Sequence, residues 1–302
     1  MKFSLSLRPM TDAPVPARKI AGYGALAESL GYHAVYATDH FYITSATFHS
    51  TSVVAVLAGA TEKIKLGFSA YQAPLRHPIA VAKEFSMLDA LSGGRLIAGL
   101  AAGSYAPEFE AFGIPFKRRG AMLEEALQAI TVLWTEDVAS FKGEFWSFDD
   151  VRIAAKPVQE PHPPIWLGTW TAAPRAARRV AKYAAGWQAS GLHTPVAAVP
   201  EGWAHIEKAC AEIGRKPGEI GKAYVNGIIH FGATPDEAWA EFTRQSNRSR
   251  EKDLCFMGDT EDIVDRVEAL RAAGMDEISF LLGVDAEATI RRIAEEVMTA
   301  FR

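Results

Sequence analysis

Two adjacent residues, Asp39 and His40, offer the most direct chemistry in this sequence. An imidazole can give or take a proton, and a neighbouring carboxylate can set its tautomer or the local potential. His40 closes a short apolar run, Ala34–Ala37, and is the only histidine at such an end with a carboxylate beside it. The competing reading is a capped loop histidine with Asp39 as a turn residue. A second group is Gly168-Thr169-Trp170-Thr171, just before a helix expected to start near Pro174. Hydroxyls and backbone N–H groups at a helix N-terminus suit a phosphate. An ordinary turn with threonine as N-cap would look the same. Ser69, Gly103, Ser104, Ser190, Gly191, Gly232 and Gly283 follow other apolar runs. Phe41, Tyr42, Tyr71, Tyr105 and Trp170 lie close by and would suit a planar ligand, or the core.

These residues need elements to position them, and the clearest elements lie between Ile64 and Gly103. Ile64–Ser69 reads as a strand. Pro78 suits a first helical position, where its missing N–H costs nothing. Val81, Phe85, Leu88 and Leu91 then share one helical face. Gly93-Gly94 ends the helix, and Leu96–Ala102 is an apolar run too continuous for a half-exposed strand. This is one βαβ unit. The alternation extends both ways. Strands are expected at Phe3–Leu7, Ala34–Ala37, Ile165–Leu167, Trp187–Ser190, Ala223–Phe231 and Ile278–Leu282. Helices are expected at Ala17–Leu30, Thr51–Ala60, Arg118–Trp134, Pro174–Ala185, Pro200–Ile213, Thr260–Ala273 and Ala286–Phe301. Ser104–Pro115 reads as an aromatic-rich loop. Val138–Phe141 and Phe145–Phe148 read as a small hairpin inserted before strand five. Pro235–Met257 is less regular, with a helix expected at its far end. Pro9, Pro14 and Pro16 make a loop after strand one.

Eight strands alternating with helices, without a linker, predict an α/β fold, a (β/α)8 barrel, as a single domain over residues 1–302. A doubly wound sheet would want a glycine-rich phosphate loop after strand one, and Arg8-Pro9-Met10 is not one. In a barrel, chemistry sits at the C-terminal ends of the strands, where all the residues above fall.

Composition narrows the function. The chain has 302 residues, 49% of them hydrophobic, and a formal net charge of −4, enough for a sizeable core and no basic surface for nucleic acid. No apolar run approaches the roughly 20 residues of a bilayer span. Only Cys210 and Cys255 are present, without CxxC spacing, so the expectation is a reducing cytoplasm, no disulfide and no zinc site. Strand one carries Ser4-Leu5-Ser6 instead of an HxH metal motif, and Lys65 and Lys222 stand at strand starts, the wrong end for a Schiff base. The loops carry few cations, which argues against a large polyanionic substrate. The Val53, Val54, Val56, Leu57, Ala58 helix has almost no polar face, and a helix apolar all round must be buried, so a homodimer is expected.

Several segments together resemble the bacterial luciferase-like superfamily of flavin- and deazaflavin-dependent oxidoreductases. They are VYATDHF, KLGFSA, PLRHPIAVAKEFSMLDALSGGRLIAGLAAG, EFEAFGIPFKRRGAMLEEALQAITVLW, KPVQEPHPPIWLG, RRVAKYAAGWQAS and GDTEDIVDRVEALRAAGMDEISFLL. They span most of the chain. The resemblance implies a barrel with a cofactor across its C-terminal mouth. It implies a non-proline cis peptide or a bulge at Ser69–Ala70, propping the middle of the cofactor ring. It matches Gly168–Thr171 to a phosphate-binding turn and implies helices of the second quarter across a two-fold axis; Gly103, Ser104 and Ser190, at neighbouring strand ends, are expected to bind the same cofactor. Many relatives have Gly-Gly where this chain has Thr169-Trp170. Asp39-His40 matches the pair near the reactive edge in deazaflavin-using relatives, whereas FMN-using luciferases more often show Glu-His-His. Coenzyme F-420 and FMN are both open, and Asp39-His40 tilts the choice toward F-420. Sugar-phosphate dehydrogenases of the family carry a glutamate just after the strand-four glycine; Ser104 stands there, so that substrate does not carry over. The expected activity is hydride transfer to, or monooxygenation of, a small organic substrate. The alternative is a non-catalytic flavin-binding protein of the same fold.

Overall fold

The computed structural model describes residues 1–8, 15–41, 48–245, 251–282 and 286–302. Pro9, Pro14, Tyr42 and Gly283 lie outside these residues. The elements run β1 (Lys2–Leu7), α1 (Ala17–Ser29), β2 (Ala34–Ala37), α2 (Ser50–Ala60), β3 (Lys65–Phe68), β4 (Tyr71–Gln72), α3 (Pro78–Leu91) and β5 (Leu96–Ala101). Next come α4 (Ala106–Ala111), α5 (Arg119–Thr135), the hairpin β6 (Ala139–Lys142) and β7 (Ser147–Val151), β8 (Ile165–Thr169), α6 (Pro174–Tyr183) and β9 (Gly186–Ser190). Then follow α7 (Val199–Glu212), β10 (Gly221–Phe231), α8 (Pro235–Gln245), β11 (Phe256–Gly258), α9 (Thr260–Ala272), β12 (Glu277–Leu282) and α10 (Glu287–Arg292).

Strands β12-β1-β2-β3-β5-β8-β9-β10 pair in parallel, and β10 returns to β12, so eight strands close a (β/α)8 barrel. β4 continues the line of β3 and pairs with β5, and β11 adds to β10. Along β1, Phe3, Leu5 and Leu7 join the apolar layer between barrel and helices, while Ser4 and Ser6 bond other side chains inside the barrel. All five are buried. The alternation of apolar residue and serine therefore separates two buried layers.

The Leu91-Ser92-Gly93-Gly94-Arg95 turn lies at the end opposite the mouth, where it has a mechanical role. Arg95 donates to the carbonyls of Ala58, Thr61, Ile64 and Ser92 and to the Thr61 hydroxyl, at 2.6–3.2 Å. It ties the α2–β3 and α3–β5 connections together.

Three expectations need correction. Ser104–Pro115 is not all loop, because it contains α4, which has only six residues, too few to show helical periodicity. In the segment from Pro235 the helix is at the near end. Thr234 Oγ1 accepts the Glu237 N–H at 3.2 Å and Pro235 stands at the first helical position, an N-terminal signal visible in Thr-Pro-Asp-Glu. The far end holds a short turn, Lys252–Leu254, and β11. After α10 the last helix changes to a π turn at Ile293–Val297 and a 3-10 turn at Met298–Phe301. Among the described residues, no helix is long and apolar enough to cross a membrane.

Candidate active site

The end of β3 builds the floor of the mouth. The Ser69–Ala70 peptide bond is cis, at the position the resemblance implied. Its carbonyl accepts Asn226 Nδ2 at 2.6 Å, and Ser69 Oγ donates to Asn226 Oδ1 at 3.0 Å. Ser6 Oγ lies 3.0 Å from Ser69 Oγ and 2.6 Å from Ser279 Oγ. Hydroxyls from three strands and one amide thus hold this bond from inside the barrel. Asn226 has φ 65°, at a register shift of β10 between Tyr224 and Gly227. The sequence reading missed it. Its signal was Asn-Gly inside an apolar run, the mark of a bulge.

Beside that bond the surface is nearly bare of side chains. A Cβ at Gly168 would stand 2.9 Å from Ala70 Cβ and 3.3 Å from Ala101 Cβ, so β8 approaches the Ala70 and Ala101 methyl groups this closely because position 168 is glycine. Ala70, Ala101 and Gly168 make a floor of methyl groups and backbone. A planar ring can lie flat on such a floor, and the residues present fit an isoalloxazine-type group.

His40 stands beside this floor, but its partner is not Asp39. His40 Nδ1 bonds Glu108 Oε2 at 2.8 Å. Glu108, from α4, is fully buried; it also accepts the Phe41 N–H at 2.5 Å and Gln72 Nε2 at 3.1 Å. Burial alone would raise its pKa; the bonds from His40, Gln72 and Phe41 outweigh that and leave it lowered. An ionised carboxylate on Nδ1 keeps a proton there. In the neutral ring the basic lone pair is then on Nε2.

Asp39 is turned into the protein. Its carboxylate accepts Arg76 Nη1 at 2.7 Å and Nη2 at 2.9 Å, Ser50 Oγ at 2.7 Å and the Gln72 N–H at 2.9 Å. The Arg76 guanidinium also lies 4.0 Å from the ring centres of Phe41 and Tyr71. This clamp fixes the segment after β2 on the end of β4 and the turn that follows it. Asp39 is a positioning residue for the segment that carries His40, and the expected Asp39–His40 pair is replaced by Glu108–His40. Gln72 joins both halves, since its Nε2 also donates to the Asp39 carbonyl at 3.0 Å.

The remaining expected residues divide. Gly103 has φ +85°, and a Cβ there would meet Gln72 Oε1 and the Phe109 ring within 2.8 Å. Ser104 is exposed at the rim. Thr169 Oγ1 accepts Trp187 Nε1 at 2.8 Å and the Ala172 N–H at 3.1 Å, so this hydroxyl secures its own turn. Trp170 is exposed and stacks on His193 at 4.1 Å and 11°. Ser190 Oγ lies 3.1 Å from His193 Nδ1, and Thr171 is exposed. Tyr71 is fully buried against Phe68 and Phe85, so it belongs to the core and not to the mouth. Tyr105 lies 6.5 Å from the His40 ring.

Known proteins fit this arrangement. The luciferase-like monooxygenase family matches residues 1–254. The oxygenase component of a flavin-dependent trigonelline monooxygenase from Acinetobacter baylyi is 28% identical over 91% of this chain and 87% of its own length. Two solved structures share the fold. A monooxygenase from Streptomyces bottropensis has a TM-score of 0.84 at 22% identity, covering 100% of both chains. The coenzyme F-420-dependent tetrahydromethanopterin reductase of Methanopyrus kandleri has a TM-score of 0.82 at 20% identity, covering 100% of this chain and 99% of its own. With a closed barrel, a cis bond at the end of β3 and a family match over most of its length, the chain belongs to the luciferase-like monooxygenase family.

Proposed function

We propose that this protein is an oxidoreductase that uses a separately reduced flavin-type cofactor to act on a small organic substrate. One observation carries the reading: Gln72, paired with Ala101 of the floor that Ala70, Ala101 and Gly168 form, also reaches the carboxylate–imidazole pair of Glu108 and His40. FMN is the first choice. The relative aligned along nearly the whole chain is a flavin-dependent monooxygenase, and Asp39, which tilted the sequence reading toward F-420, is engaged by Arg76. F-420 is the second reading, supported by Glu108–His40, a pair able to hold a proton beside a hydride-transferring ring.

The bound cofactor would supply two-electron chemistry, with oxygen activation in the case of FMN and hydride transfer alone in the case of the deazaflavin. The chain's own residues have separate tasks. Ser69, Ala70 and Gly168 support the ring, and Asn226 holds the Ser69 carbonyl in place. His40 Nε2 exchanges a proton with substrate or product, while Glu108 holds the Nδ1 proton and stabilises the charged ring.

Fluorescence titration with FMN and with F-420 tests the reading. Saturable one-to-one binding of either supports it, and binding of neither overturns it. Binding without reoxidation by any acceptor would favour the non-catalytic alternative, against which the Glu108–His40 pair weighs.

We also propose a homodimer through α2 and α3. Ala55 and Val56 are only partly covered, Gly59 is exposed, and Met87 and Leu91, one turn apart on α3, are 38% and 59% exposed. Side chains of this kind on neighbouring helices suit a second copy.

A further inference from the structure

The loops at the mouth carry few cations, but the helices beside them do not. α6 carries Arg175, Arg178, Arg179 and Lys182 and no acidic residue. Arg175 and Arg179 are four apart and share a face, where like charges repel. Arg175 stands in the first helical turn, where the helix dipole disfavours a cation. Arg179 is half-buried and leans on the first turn of α5, its Nη1 3.6 Å from where a Cβ of Gly120 would stand. Burial pushes its pKa down, and Arg119 and Arg175 push it further, while Glu124 pulls the other way. Glu124 is itself shared with Tyr183 and Lys182, at 3.3 and 3.9 Å. Among the described residues, neither Arg175 nor Arg179 has a carboxylate within ion-pair distance. Arg119 completes the group and reaches the mouth, donating from Nε to the Gly103 carbonyl at 3.1 Å and from Nη1 to the Phe116 carbonyl at 3.0 Å.

Three electrostatic costs meet at one place: a desolvated guanidinium, like charges on one face, and a cation at a helix N-terminus. A multiply charged anion would remove all three. We propose that Arg175 and Arg179 of α6, with Arg119 of α5, form a site for a phosphate or polycarboxylate group of at least two negative charges. On the reading above, that group would be the anionic arm of the cofactor. The cations of this site come from helices far apart in sequence.

FMN and riboflavin differ only in the phosphate, so they test the site. Both are titrated by fluorescence into the wild-type protein and into Arg175→Gln/Arg179→Gln, with circular dichroism as a check on folding. The double variant should bind FMN about 10–100-fold more weakly, the loss expected for charge-assisted bonds, and riboflavin unchanged. Arg179→Lys, which keeps the charge, should recover part of the loss. Equal FMN affinity in wild type and double variant would overturn the site and leave the cofactor reading standing, as would an equal loss for riboflavin. Calorimetry with tripolyphosphate separates the two ideas. Saturable binding by the wild type, lost in the double variant, supports the site even where neither FMN nor F-420 binds, and in that case the cofactor reading is the one that fails. A wild type that binds neither FMN nor tripolyphosphate overturns the site.

Discussion

At the residue scale, neighbours in sequence have separate work. His40 and Asp39 are adjacent, yet one meets Glu108 and the other Arg76. His40→Ala should lower turnover about 10²–10⁴-fold, the usual worth of a positioned acid or base. It also removes a partner from a fully buried carboxylate, which costs about 1–3 kcal/mol of stability. Asp39→Ala should do the reverse. It leaves the Arg76 guanidinium without its buried counter-ion, a loss of about 3–5 kcal/mol. Thermal unfolding and single-turnover kinetics on both variants check the division. If His40→Ala unfolds far earlier yet reacts at the wild-type rate, His40 is structural. Glu108 adds a pH dependence. Its pKa is lowered in the folded state, so its contribution is full above the ordinary value of 4.5 and is lost as pH falls through the lower, folded value. Glu108→Gln should therefore flatten the fall of melting temperature below about pH 4.5. An unchanged acid limb would show that Glu108 is not the group that titrates.

At the element scale, the segment just after β3 is held by a bulge across the barrel. Asn226 reaches Ser69 because β10 shifts register there, and its φ of 65° is one that glycine adopts freely. Asn226→Gly keeps the backbone and deletes both side-chain bonds to Ser69. It should weaken cofactor binding about tenfold, roughly one hydrogen bond to a ligand-bearing segment, with far-ultraviolet circular dichroism unchanged. Unaltered affinity would leave Asn226 a core residue only. The helices and strands themselves were readable where their pattern was long. α3 is legible from Pro78 and the apolar face of its fourteen residues. α4 is not, since six residues leave no period to see, and it is α4 that supplies Glu108.

At the scale of the whole molecule, a closed parallel barrel buries both faces of its strands, and the helices supply the outer layer. The α2–α3 quarter leaves apolar side chains partly uncovered, so sedimentation should give a dimer at micromolar concentration. A monomer there would rule out that interface. The cationic junction of α5 and α6 likewise exists only in the assembled fold.

Read along the chain, the residues give the alternation of the barrel strands with helices, the barrel itself, and the position of His40 and Ser69–Ala70 at the C-terminal ends of its strands. Those follow from periodicity, from turn residues and from the rule that strand ends form the mouth, with the family resemblance supplying the cis bond. The closed fold sets which carboxylate meets His40, that Asn226 holds the Ser69 carbonyl, and that Arg119, Arg175 and Arg179 lie near one another. These contacts join residues 68, 157 and up to 60 positions apart. No local pattern records such a meeting, because it is set by how strands close and how helices pack against them.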